Sequence, residues 1–164
     1  MLWIRRSILT GAGFFIFALL LSAVFDPRIR VLHALQSLIY FAVIWLTGRK
    51  NPWGFGAGLF IAAFWNYTNL FITRFIAEGT EQFVHLLKSG QVDRPDLLVA
   101  VAAAIGHFLM ILACGAGFAR LHPKVLDWAK FVGGGVAAFG YFVAIIFTTG
   151  PQYIGLVKQT FGLL

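Results

Sequence analysis

Apolar and polar positions fall in long blocks along this chain. Five stretches, 7–25, 31–48, 51–73, 97–119 and 131–157, contain no charged residue. Each approaches or exceeds the roughly 20 residues that carry a helix across the hydrocarbon of a bilayer. Turn signals lie between them, at Asp26-Pro27, Gly48-Arg49-Lys50-Asn51-Pro52, Asp93-Arg94-Pro95 and His122-Pro123, and Gly150-Pro151 breaks the fifth. Proline bars the residue before it from the α region and punctuates each block. The pattern predicts spanning helices over about 7–25, 29–47, 53–76, 95–118 and 129–149. Segment 77–90 differs, because Glu78, Glu81, His85 and Lys88 interrupt Phe83, Val84, Leu86 and Leu87. Too short and too charged to span, it is expected to form an amphipathic helix lying in the membrane interface. The apolar tail 150–164 is expected to lie there as well. The predicted fold class is therefore an all-α integral membrane protein, a single transmembrane domain over 1–164 with about five helices and one interfacial helix between the third and fourth.

Within the blocks, some faces are built differently. At helical spacing the third block reads Gly54, Gly58, Ala62, Asn66, Asn69, Thr73, a seam that begins small and ends polar. The second block carries His33, Gln36, Ser37 and Tyr40 on one stripe, and the fourth places His107 near its middle. Counted from the block ends at 1.5 Å per residue, Gln36, Tyr40, Asn66, Asn69 and His107 fall within about two turns of one plane. Unpaired amides in hydrocarbon cost several kcal/mol each, so this polar layer is expected to face inward, with helices 2, 3 and 4 meeting there. The layer either lines a ligand site or serves as interhelical hydrogen-bond glue. Gly54 and Gly58, with Gly133, Ala137 and Gly140 of the fifth block, are expected to be helix-packing positions, since small residues allow close backbone approach.

Composition agrees with the block pattern. The chain has 164 residues, 60% of them hydrophobic and 12% charged, against about 25% charged in soluble domains; the mean hydropathy is +0.85. The net charge of +7 does not indicate nucleic acid, because the basic residues sit in ones and twos at block ends, where phosphate headgroups lie. Arg5 and Arg6 before an apolar block resemble the start of a signal peptide, but the block is 19 residues long and a retained helix is expected. A bacterial-type inner membrane is expected, with the N-terminus inside. That orientation puts Arg5, Arg6, Arg49, Lys50, Arg120, Lys124 and Lys130 on one side, against Arg28, Arg30, Arg74, Lys88, Arg94 and Lys158 on the other.

The chemistry on offer is sparse. His107, Met110 and Cys114 share a helical face and are donors a copper(I) ion would accept. His33 and His107 sit at different depths for two axial ligands of one haem. Neither cofactor is expected, nor any other metal. Glu78, Glu81 and His85 read as the solvated face of the interfacial helix. The single cysteine, Cys114, permits no intrachain disulfide. Asn66-Tyr67-Thr68 matches a glycosylation pattern inside an apolar block, and no nucleophile, phosphate-loop or HExxH motif is present. Length and aromatic content resemble the tryptophan-rich sensory proteins, but Asn51-Pro52-Trp53-Gly54-Phe55 lacks their proline pair. The four aspartates lie near loops, outside the motif context of the lipoprotein signal peptidases. Two functions follow. The first is a non-catalytic subunit that packs within a homo-oligomer or with other membrane subunits. The alternative is a small carrier or binder of an apolar or weakly polar molecule, using the polar layer. No catalytic residue is assigned; His107 is the one group in that layer that titrates near neutral pH.

Overall fold

The structure, a computed structural model, describes residues 2–150 and 153–160. Among these, every regular element is helical: α1 (Leu2–Phe25), a short 3-10 turn (Pro27–Ile29), α2 (Arg30–Gly48), α3 (Pro52–Tyr67), a π-helical turn (Thr68–Ile72), α4 (Phe75–Ser89), α5 (Pro95–Ala119), α6 (Val125–Thr149) and α7 (Ile154–Thr160). Five helices are long and apolar enough to cross a membrane: α1, α2 with its preceding turn, α3 with its π turn, α5 and α6. They coincide with the five apolar blocks. α1 and α6 begin earlier than the blocks suggest, taking in Arg5, Arg6, Asp127 and Lys130, because charge does not stop a helix from propagating. Of the expected tail 150–164, residues 151–152 and 161–164 lie outside the described residues, and α7 occupies much of the remainder.

The third block departs most from expectation. It was predicted to continue as one helix to about residue 76, but α3 ends at Tyr67 and five residues widen into the π turn, closed by Thr73 N–H donating to Thr68 O at 3.0 Å. Arg74 then adopts a left-handed conformation at φ 58°, which a non-glycine residue adopts at a cost, and α4 starts at once. The break is made by the backbone rather than by a proline or glycine, so no residue type announces it.

Close approach organises the bundle. α1 packs along α5, with Gly11 against the Gly106 backbone and Gly106 against the Gly11 carbonyl. α3 packs along α6, where Gly56 faces the Phe131 backbone and Gly134 faces that of Trp53. A β-carbon at any of these four glycines would collide with main chain. Gly54 packs against Leu46 and Thr47 of α2, Gly58 against Cys114 and Val43, and Gly133 against the Trp53 ring. These small positions are thus occupied within the chain, whereas Ala137 and Gly140 lie on the exposed side of α6. α4 seats Gly79 on the Leu97 carbonyl of α5, and Gln82 Oε1 accepts from the Asp93 and Arg94 amides at 3.3 and 3.2 Å. The buried core runs through Phe15, Tyr40, Phe55, Ile61 and Met110.

Candidate functional site

A cavity of about 670 Å³ opens at the end of the bundle where α1, α3 and α6 finish and α2 and α5 begin. Each helix contributes a wall: Phe15, Ala18, Leu19 and Ser22 from α1, His33 and Gln36 from α2, Phe64 and Trp65 from α3, Val99 and Ala103 from α5, and Phe142 and Ile146 from α6. The π turn adds Thr68 and Asn69, and Asp26, Phe75, Asp96 and Tyr153 stand among the remaining lining residues.

The floor is aromatic. Phe15 and Trp65 meet edge to face, with ring centroids 5.2 Å apart. Beneath them lie two fully buried side chains, Tyr40 and His107, with the Tyr40 hydroxyl and His107 Nε2 hydrogen-bonded at 2.7 Å. The imidazole centroid lies 4.0 Å from that of Phe15 and 4.8 Å from that of Trp65. Four helices, α1, α2, α3 and α5, thus contribute one ring each to a single cluster. His107 Nδ1 has no hydrogen-bond partner among the described residues.

Polar groups on the cavity wall divide into satisfied and unsatisfied ones. Ser22 Oγ donates to Leu19 O at 3.0 Å and lies 2.8 Å from His33 Nδ1, which is itself 3.0 Å from Leu19 O. A carbonyl can only accept, so Nδ1 is the donor in that contact. Asn69 Nδ2 donates to Trp65 O at 2.9 Å, and Asn69 Oδ1 accepts from Thr73 Oγ1 at 3.0 Å. The amide therefore stitches the π turn. Gln36 is 4% exposed and its amide makes no hydrogen bond among the described residues. The Thr68 hydroxyl is buried and likewise without a partner.

The charges among the lining residues are neutralised locally. Asp26 Oδ1 takes Arg28 Nε at 3.0 Å and its Oδ2 takes Arg28 Nη2 at 3.1 Å; Asp96 takes Arg94 Nε and Nη2 at 3.0 and 2.6 Å. The Arg28 side chain and its backbone amide both donate to Asp26 and hold its carboxyl below the ordinary value near 3.8.

The residues of the expected polar layer are distributed as follows. Gln36 and Asn69 line the cavity, while Tyr40 and His107 are joined below its floor. Asn66 is buried at 7% exposure and neither line of partners reaches it: both amide atoms are unbonded among the described residues, and it does not line the cavity. Met110 and Cys114 are fully buried against Gly58, and among the described residues no three His, Cys, Asp or Glu side chains converge on one point. Glu78 and Glu81 remain on α4, where His85 Nε2 stands 3.7 Å from Asp93 Oδ2. Phe15 and Trp65, central to the site, were not singled out from the sequence, because an aromatic residue inside an apolar block carries no distinguishing signal. Comparison with protein families, with curated proteins and with solved structures finds no match for the chain.

Proposed function

We propose that the protein is an integral membrane binder or carrier of a small, largely apolar molecule, held in the cavity between α1, α2, α3, α5 and α6. The observation that carries this reading is the cavity itself. Its volume of about 670 Å³ falls in the 300–1,000 Å³ range of small-molecule sites, and its apolar wall with a few polar groups matches their usual composition. Five helices of spanning length support insertion in a bilayer. Trp3, Trp45, Trp53 and Trp128, all exposed, cluster near the helix ends opposite the cavity mouth, as interfacial aromatics do. Arg49 stacks on Trp45 and Arg120 on Trp3 at that end. We assign it to the inner side of a bacterial-type cytoplasmic membrane, and α4 to the opposite interface.

A narrowing substitution tests the binding reading. Ala103 lines the cavity and is 1% exposed, so Ala103→Leu projects new volume into it. Native mass spectrometry of the detergent-extracted protein is expected to show one small molecule per chain in the wild type and its loss in the variant. Retention of the same molecule by a folded Ala103→Leu protein would overturn the assignment. Association through the exposed Ala137 and Gly140 of α6 is the second reading, and the mass of the same particle reports it.

A further inference from the structure

The lining of the cavity distinguishes one kind of polar head from another. Both carboxylates among the lining residues already have their counter-charge: Asp26 is held by three hydrogen bonds from Arg28, and Asp96 by two from Arg94. A charged head would have to enter between satisfied ion pairs and an apolar wall, losing hydration without gaining a free partner. Apart from His33, whose Nε2 has no partner among the described residues, the groups left over are neutral. Gln36 is 4% exposed and lines the cavity, its amide makes no hydrogen bond to a described residue, and it is not among the polar atoms sealed from solvent. The Thr68 hydroxyl, on the π turn, also has no partner among the described residues, but it is shut off from the cavity space. A buried amide left unpaired costs free energy that a ligand with matching groups recovers, and an amide asks for a donor and an acceptor together.

We infer that the cavity binds an uncharged amphiphile whose polar end both donates and accepts hydrogen bonds, an amide or an alcohol, with Gln36 as its recognition residue and the aliphatic body against the aromatic walls. The inference rests on the reading of the cavity as a ligand site.

Four probes with one decyl-length chain separate the possibilities: decanamide, methyl decanoate, decanoate and decyltrimethylammonium, each titrated into the detergent-solubilised full chain and read by native mass spectrometry. Decanamide is expected to bind tightest. Gln36→Leu is expected to weaken decanamide about threefold to tenfold, the worth of one or two neutral hydrogen bonds, while moving methyl decanoate, which accepts but does not donate, less than twofold. Thermal melting of the Gln36→Leu variant confirms folding. Should decanoate or decyltrimethylammonium bind tightest, and Ala103→Leu block it, the cavity remains a ligand site and the neutral-head inference falls. Equal binding of all four, unaffected by Gln36→Leu yet blocked by Ala103→Leu, has the same consequence. Binding that Ala103→Leu leaves unchanged for every probe overturns both the inference and the reading it rests on.

Discussion

Tyr40 and His107 are joined by one hydrogen bond of 2.7 Å between two fully buried side chains, and His107 Nδ1 has no partner among the described residues. Tyr40→Phe leaves the imidazole with no hydrogen bond at either nitrogen among the described residues, and is expected to cost about 1–3 kcal/mol in a reversible unfolding measurement. His107→Phe in the same background is expected to cost less than its effect on the wild type, because the partner is already gone. Asn66 gives the opposite sign. Both of its amide atoms are unbonded and buried, so Asn66→Leu is expected to raise the melting temperature rather than lower it; a fall of several degrees would show that the amide has partners. Of the five residues of the expected polar layer, Gln36, Tyr40, Asn66 and His107 are buried and Asn69 is half-buried. The sequence was a poor guide to their pairing. Asn69 turned inward on its own helix, bonding Trp65 and Thr73, and periodicity carries no information about such local capture.

The helices themselves were legible, because a block free of charge some 20 residues long has few other folded forms. Their contacts were less so. Gly56 and Gly134 hold α3 and α6 main chain to main chain, against Phe131 and Trp53, but both glycines stand among many others in the chain, and only the packing tells which ones bear the approach. Gly134→Ala places a methyl on the Trp53 carbonyl and is expected to destabilise by about 1–3 kcal/mol, as overpacking does. Gly140→Ala, with no atom within 4 Å of the added carbon, is expected to be neutral or slightly stabilising through helix propensity. Thermal melting of the two variants side by side checks both. The π turn after α3 was invisible for a different reason. Residues 68–72 keep an apolar, helix-compatible composition, and the change is in hydrogen-bond register alone. Such turns recur at functional sites, and here it brings Thr68 and Asn69 to the cavity wall.

For the molecule as a whole, five helices of spanning length, if each crosses the membrane as proposed, would put the N-terminus and the α6 end on opposite faces. With the native thiol Cys114 fully buried, single cysteines introduced at Lys50 or Lys124 are expected to react with an impermeant maleimide from one side, and one at Gln91 from the other. Labelling of all three from the same side would refute the five-crossing arrangement. Acidification acts at the cavity end. The Asp26 carboxyl is held below its ordinary value by Arg28, so its contribution to the α1–α2 turn is present above about pH 4 and is lost as pH falls through the lower folded value. Asp26→Asn is expected to remove that part of the acid sensitivity of the melting temperature, by an amount kept small because the group is solvent-exposed. The overall architecture could be read from the sequence, since it follows from where charge is excluded. The cavity could not, since it is the space left over when five helices of unequal side-chain volume pack together.

Trp65 has a further use. Of the five tryptophans, Trp3, Trp45, Trp53 and Trp128 stand exposed near the opposite end, and only Trp65 lies on the cavity floor, against the imidazole of His107. The protein therefore carries an intrinsic optical reporter at its most informative point. Replacing the other four indoles with phenylalanine would leave a single emitter, whose spectrum would shift to shorter wavelength as a guest displaces solvent from the floor. Occupancy could then be followed continuously by fluorescence, with no label attached.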